Sequence, residues 1–299
     1  MNQKLRLQRE IRWLMEEKYP RETAITPDIE KDIGRLKKGE PVDYVIGFSH
    51  FLGCKIDLSL RPMIPRSETE FWVEQTITEI KNSQPPTVAQ GFGDVLPAFV
   101  RLGRTTAWRR KNNYQLPTTN YKLIKCLDIF SGSGCIGIAV LKHLKNARVD
   151  FSEKEGRPLK QIKINLQLNR IPAERWRIIK SDVFQNIRGK YNFIFANPPY
   201  VAKKRINKIQ KSVLQYEPKK AIFGGKDGLL YIRRFLKEAK KHLKPGGIIF
   251  MEFDAPQKKE ISETLKRLGY QHYEFRKDQY NKWRYLKITI NNSRTFFGY

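Results

Sequence analysis

Leu7, Ile11, Leu14 and Met15 recur at helical spacing near the start of the chain, and Ile29, Ile33 and Leu36 do so again behind a Thr26-Pro27 start signal. Gly39 and Pro41 close that second helix. In "KIDLSL" the period drops to two: Ile56, Leu58 and Leu60 face one way, Lys55, Asp57 and Ser59 the other. With "YVIGFSHFLG" just before it, this predicts a β-hairpin. "SETE", Ser67 to Glu70, has the spacing of a capping box that would start the next helix. From Lys122 the pattern settles into strand, turn, helix. "KLIKCLDIF", "ARVDFSE", "WRIIKSD", "NFIFAN" and "IIFMEF" read as strands. "CIGIAVLKHL", "LKQIKINLQLN" and the long "GLLYIRRFLKEAKKHL" read as helices, the last stopped by Lys244-Pro245-Gly246-Gly247. The tail "HYEFRKDQYNKWRYLKITI" reads as an antiparallel hairpin. Strands alternating with helices predict an α/β fold, a doubly wound and mainly parallel sheet that binds its ligands at the carboxyl ends of the strands. Three units are expected: a helical one over residues 1–43, a hairpin linker over 44–66, and the α/β domain over 67–299. The stretch over 84–118 fits no element and reads as an insertion.

Composition changes this picture in two ways. There are 58 Lys and Arg against 30 Asp and Glu, a formal charge of +28, so the chain's field attracts polyanions or an acidic partner. The insertion adds Arg101, Arg104, Arg109, Arg110 and Lys111 beside Trp108 and Tyr114, a mixture that suits either a solvated loop or contact with a nucleic-acid strand. Cysteine is scarce: Cys54, Cys126 and Cys135 have no C-x-x-C spacing, and the four histidines are scattered. No disulfide framework and no metal site are expected. With no 18-residue apolar run and a mixed-charge start, the expectation is a cytoplasmic protein without a membrane span, acting as a monomer.

The candidate chemistry gathers at strand ends. Asp128 lies at the end of one strand, followed by Phe130, Ser131, Gly132, Ser133 and Gly134 and then a helix. Such a small-residue turn lets a ligand approach the backbone and offers it the free N–H groups of a helix start. Glu153 ends the next strand, where a carboxylate can accept both hydroxyls of a ribose. Asp182 and Val183 follow the third, with an acceptor and an apolar wall for an adenine. Each acid taken singly could equally cap a turn or sit solvated. Three at successive strand ends around one glycine turn favour a nucleoside cofactor without a pyrophosphate, because the full G-x-G-x-x-G pattern is missing. S-adenosylmethionine suits the set better than NAD does. The fourth strand ends in Asn197-Pro198-Pro199-Tyr200. Proline fixes φ and has no N–H, so the turn is rigid and its carbonyls are aimed outward. The Asn197 oxygen and the Pro198 carbonyl can then take both hydrogens of one planar NH2 group, with Tyr200 offering a ring face. Asn197, Pro198 and Tyr200 are the expected catalytic residues, and Asn197 to Tyr200, Pro199 included, the expected substrate contacts.

"NPPY" behind these motifs resembles the amino-group methyltransferases of the class I, Rossmann-like fold. Several further segments make the chain similar, more narrowly, to the peptide chain release factor glutamine methyltransferases. These are the hairpin followed by I-P-R-x-E-T-E at Ile64 to Glu70, "YEPKKAIFGGKDGL" at Tyr216 to Leu229, and the K-D…R element in "KDQYNKWR". The resemblance implies S-adenosylmethionine contacts at Asp128, Phe130 to Gly134, Glu153, Asp182, Val183 and Asn197, and a substrate-recognising role for the helical unit. It implies that the acceptor is the glutamine of the Gly-Gly-Gln loop of release factors. Phe130 stands where the family usually has glycine, Glu153 where Asp is commoner, and Glu252-Phe253-Asp254 where it has E-x-G. An adenine amine presents the same NH2 geometry as a carboxamide, so amino-methylation of RNA or DNA is the alternative, and the positive charge leaves room for nucleic-acid contact.

Overall fold

A computed structural model describes residues 3–83 and 122–291, and the insertion over 84–118 lies outside the described residues. The chain opens with helices α1 (Gln3–Lys18), α2 (Pro27–Lys37) and α3 (Val42–Ile46). Their apolar stripes meet in a small core of Leu14, Leu36, Val42, Val45 and Ile46. The Thr26 hydroxyl accepts the N–H of Ile29, which caps α2 with Pro27 at its first position. The hairpin follows as β1 (Phe48–Phe51) and β2 (Cys54–Asp57), so the strand stops short of Leu58-Ser59-Leu60. Here the amide of Leu60 donates to the buried Gln161 side chain instead of to a partner strand.

Next come α4 (Ser67–Asn82), β3 (Ile124–Ile129), α5 (Cys135–His143), β4 (Ala147–Glu153), α6 (Gly156–Leu168), β5 (Trp176–Lys180) and β6 (Tyr191–Ala196). After two short helices, α7 (Lys211–Tyr216) and α8 (Lys219–Ile222), come α9 (Leu230–Glu238), β7 (Leu243–Glu252), α10 (Lys258–Arg267), β8 (His272–Lys277) and β9 (Trp283–Thr289). The seven-stranded sheet runs β5-β4-β3-β6-β7-β9-β8, parallel except for the closing hairpin. Alternation sorts the strand residues between the two faces. Phe195 and Phe250 stack at 5.8 Å on the face covered by the hairpin, α4, α5 and α6, while Ile194, Ala196, Ile249 and Met251 join the core under α9 and α10. Phe51, Cys54, Ile56 and Leu58 belong to the first of these cores, so the hairpin is packed against the sheet.

Two local expectations fail. Ser67 is the first residue of α4 and bonds Glu68, whereas Glu70 reaches away to accept the amide of Leu52 at 2.6 Å. No capping box forms, because the glutamate ties the helix to the hairpin turn instead. Lys244-Pro245-Gly246-Gly247 does not separate helix from strand either. Helix α9 ends at Glu238, a 3-10 turn carries the chain to His242, and the four residues lie within β7 as an irregularity where its register with β6 shifts.

Candidate active site

Two adjoining cavities open at the carboxyl ends of β3, β4 and β6. The larger, about 510 Å³, is walled by Ile64 to Arg66, Thr69, Phe130 to Ser133, Glu153, Asn197, Pro199 and the Pro218–Ala221 stretch. The smaller, about 250 Å³, is walled by Ser152, Glu153, Asp182, Val183 and Tyr231, and shares Phe130 and Pro199 with the first. Open α/β sheets bind ligands at this edge, where neighbouring strands connect in opposite directions and the following loops part.

The glycine turn is built from behind. Asp128 is fully buried and lines neither cavity; its Oδ2 accepts the N–H of Gly137, coupling β3 to α5, and its Oδ1 has no partner among the described residues. Burial pushes this carboxyl up to about 8. Ser131 Oγ donates toward the carbonyls of Asp128 and Ser152 and accepts the amide of Ser152, so the turn is laced to β4. Gly134 lies behind the cavity walls. Phe130 adopts φ +63, a left-handed conformation that costs a side chain about 1–2 kcal/mol, which explains a glycine preference at this position. Edge contact with Tyr231 and contact with Phe235, at centroid distances of 6.0 and 6.3 Å, anchor the ring here.

Glu153 stands between the cavities. Its carboxylate accepts the amides of Gly132 at 3.1 Å and Lys154 at 2.8 Å, yet burial raises it above the usual glutamate range. Asp182 lies two residues beyond β5. Burial would raise its carboxyl, but Lys154 and Arg234, each at 3.0 Å, hold it below the ordinary value.

Asn197 and Pro199 face the larger cavity; Pro198 and Tyr200 do not line it. Among the described residues nothing donates to Asn197 Oδ1 or to the Pro198 carbonyl, while Asn197 Nδ2 lies 3.4 Å from Thr69 Oγ1. The Tyr200 ring packs on the core beneath α9, and its hydroxyl donates to Glu252 at 2.7 Å. Burial, then that carboxylate, raises the phenol well above its usual value.

Two of the segments that carried the resemblance, I-P-R-x-E-T-E and Y-E-P, meet around this cavity, whereas the K-D…R element lies outside its walls. Arg66 pairs with buried Glu217 at 2.6 Å, and the Ile64 amide donates to the same carboxylate, so I-P-R is fastened to Y-E-P. Gly224 and Gly228 pack against the back of the N-P-P-Y turn. A β-carbon on Gly224 would stand 2.3 Å from the Pro199 carbonyl oxygen, and one on Gly228 would stand 2.2 Å from that of Tyr200. Gln161 and Asn165 on α6 are buried amides behind the site that the motif reading passed over, and Gln161 also lines the larger cavity. Asn165 accepts the Asp57 amide and donates to the Ser133 carbonyl, joining the hairpin to the glycine turn. Their signal was two amides one helical turn apart on the apolar face of "LKQIKINLQLN".

This strand order, with its cavities at the carboxyl edge and a terminal antiparallel pair, defines a class I methyltransferase. A Methyltransferase small domain model matches residues 115–221. The chain is 30% identical over 245 residues to the release factor glutamine methyltransferase of Thermodesulfovibrio yellowstonii, covering 82% of this chain and 74% of that protein. It is 27% identical over 280 residues to the same-named protein of Flavobacterium psychrophilum, covering 89% and 85%. The catalytic domain of hMettl16, solved in complex with MAT2A 3′UTR hairpin 6, aligns over 95% of this chain and 93% of that one. Its TM-score is 0.56 at 13% identity, a likeness of fold. The chain belongs to the release factor glutamine methyltransferase family.

Proposed function

We infer that this protein transfers a methyl group from S-adenosylmethionine to the side-chain amide of the glutamine in the Gly-Gly-Gln motif of release factors. The observation that carries this is the unclaimed acceptor Asn197 Oδ1 on the wall of a cavity enclosed by I-P-R and Y-E-P; the Pro198 carbonyl, next in the chain, is likewise without a donor among the described residues.

The residues present fit the cofactor. Ser152 Oγ on the wall of the smaller cavity is buried without a partner among the described residues, and Glu153 offers an acceptor to both cavities. Glu153 would hold the ribose hydroxyls, Asp182 and Val183 the adenine, and the Phe130–Ser133 turn the methionine portion, with Asp128 and Gly134 shaping that turn. When bound, the cofactor supplies an electrophilic methyl on its sulfonium. Asn197 and Pro198 orient the acceptor NH2 and stabilise the positive charge that develops on nitrogen. Pro199 walls the cavity, and Tyr200 braces the turn. Glu153 must be ionised to accept both hydroxyls, and burial raises its proton affinity. Cofactor affinity is therefore expected to weaken as pH falls, beginning above the ordinary glutamate value of about 4.3. Calorimetry across pH checks this, and Glu153→Gln should bind about tenfold more weakly with a flat profile.

The acceptor's approach is basic. Lys203, Lys204, Lys208, Lys211, Lys219 and Lys226 follow the N-P-P-Y turn within one stretch whose only acid is the buried Glu217 before Asp227. The Lys203 amide bonds the Gly225 carbonyl, which brings the two ends of this lip together. Such a lip suits an acidic face of a protein acceptor, with the helical unit over 1–43 as a second docking element and the 44–66 hairpin holding it to the 67–299 catalytic domain. Raising salt from 0.05 to 0.5 M is expected to raise KM for a release factor about tenfold while leaving kcat nearly unchanged. We place the enzyme in the cytoplasm, as a monomer, consistent with its three buried free cysteines. Among the described residues no helix is long and apolar enough to cross a membrane. Methyl-labelled cofactor offered with release factors, and separately with RNA and DNA, tests the reading. Label in the release factor supports it, whereas label in nucleic acid alone overturns it.

A further inference from the structure

The side chain of Glu252, at the end of β7, is 1% exposed and among the described residues has no cationic hydrogen-bond partner; three neutral groups donate to it. Thr69 Oγ1 and Trp72 Nε1 each reach its Oε2 at 2.7 Å, and the Tyr200 hydroxyl reaches its Oε1 at 2.7 Å. Thr69 and Trp72 come from α4, Tyr200 from the N-P-P-Y turn. Thr69 Oγ1 is in turn the group that faces Asn197 Nδ2, at 3.4 Å.

We propose that Glu252 and Thr69 are positioning residues that set which way the Asn197 amide faces. Trp72 Nε1–H can only donate, so the Oε2 atom it meets is an acceptor, and the Thr69 hydroxyl that shares this oxygen points its hydrogen at Glu252. That leaves Thr69 Oγ1 with lone pairs alone to offer Asn197, and only the NH2 end of the amide can meet them. Oδ1 is thereby turned toward the cavity, where the acceptor's NH2 needs an oxygen. A reversed amide would set NH2 against NH2. Trp72 sharpens the arrangement because its indole N–H can only donate, which pins an acceptor at the Oε2 position. The same carboxylate holds Tyr200, so one buried group fixes both ends of the N-P-P-Y turn.

This inference rests on the acceptor role given to Asn197, and the experiment separates the two. Thr69→Val keeps the shape of the side chain but removes the hydroxyl. Its kcat is expected to fall about tenfold, with KM for cofactor unchanged and Tm within a few degrees. Thr69→Ser should restore turnover to within about threefold of the wild type. Glu252→Gln should also keep most activity, because Trp72 selects the amide oxygen for the Oε2 position and the Thr69 hydroxyl still donates to it. Single-turnover rates on an Asn197→Ala background complete the test: adding Thr69→Val there should cost nothing further, since the effect runs through Asn197. Should Thr69→Val not fold, Thr69→Ala carries the same comparison. An inactive Asn197→Ala enzyme beside a fully active Thr69→Val enzyme overturns the positioning proposal alone, as does a Thr69→Val loss that persists in full without Asn197. A fully active Asn197→Ala enzyme overturns the acceptor role itself.

Discussion

Asn197→Ala is expected to lower kcat by at least about a hundredfold while leaving cofactor affinity within about tenfold. The substitution removes the only side-chain oxygen of the N-P-P-Y turn that faces the larger cavity, and the Pro198 carbonyl cannot by itself fix a planar NH2 group. Removing one preorganised polar partner from a site where charge develops typically costs about 10²–10³ in rate. A carboxamide nitrogen is a weak nucleophile, so turnover depends on how well that nitrogen is held against the methyl donor. The groups proposed to hold the cofactor, Glu153, Asp182 and the Phe130–Ser133 turn, make no hydrogen bond with Asn197 among the described residues, so its removal should leave them in place. Single-turnover kinetics and calorimetry on one preparation measure the two effects separately.

Gly228→Ala should damage the same chemistry from the far side of the turn. Gly228 sits at φ +81, and its added methyl would meet the Tyr200 carbonyl oxygen at 2.2 Å, Gln257 Nε2 at 2.5 Å and the Ala202 amide at 3.0 Å. Two of these are backbone, and Gln257 already donates to the Tyr200 carbonyl at 2.8 Å, so none can yield without moving the turn. A displacement of about 1 Å in a reacting group costs about a hundredfold in rate, and that is the loss expected in kcat. Gly225→Ala is the control. Its φ of +93 imposes comparable backbone strain, but its β-carbon meets only the Leu230 side chain, at 3.2 Å or more. Both variants should lose about 1–2 kcal/mol of stability from the left-handed conformation, measured by denaturant titration, and only Gly228→Ala should lose turnover.

The sheet was legible because its strands alternate between two buried faces. In "FIFA", Phe193 and Phe195 turn toward one core and Ile194 and Ala196 toward the other, a pattern with no helical reading. The N-P-P-Y turn was legible for a different reason: proline leaves so few conformations that sequence and geometry nearly coincide. What stayed hidden depends on contacts between residues far apart in the chain. Glu70 looked like a cap because its spacing from Ser67 is local, yet its partner is Leu52. Glu252 read as the end of a strand, and nothing nearby announces that Thr69 and Trp72, some 180 positions earlier, converge on it. Gly246 and Gly247 signalled a stop, but pairing of Leu243 with Tyr191 carries the strand through them. Phe130 misleads in the opposite sense: a phenylalanine gives no hint of a left-handed backbone, which the surrounding turn imposes.

Net charge also takes on a more specific meaning once the fold is known. Part of the basic excess is consumed in pairs such as Arg66 with Glu217 and Arg35 with Glu40, which hold segments together. In the lip, Lys220 pairs with Glu155, whereas Lys203, Lys204, Lys208, Lys211, Lys219 and Lys226 form no ion pair among the described residues, and Lys219 lines the cavity. Their expected effect is on KM for a charged acceptor and its salt dependence, separate from the chemistry at Asn197.

The central claim is that the acceptor is one glutamine amide. It is tested most directly by incubating the full chain with S-adenosylmethionine and a release factor, then locating any added methyl by fragmentation mass spectrometry of the digested acceptor. The account predicts a single methyl on the side-chain nitrogen of the glutamine in Gly-Gly-Gln, absent when Asn197→Ala replaces the wild type. A methyl on any other residue, or an unmodified release factor alongside methylated adenine in RNA or DNA, would contradict it.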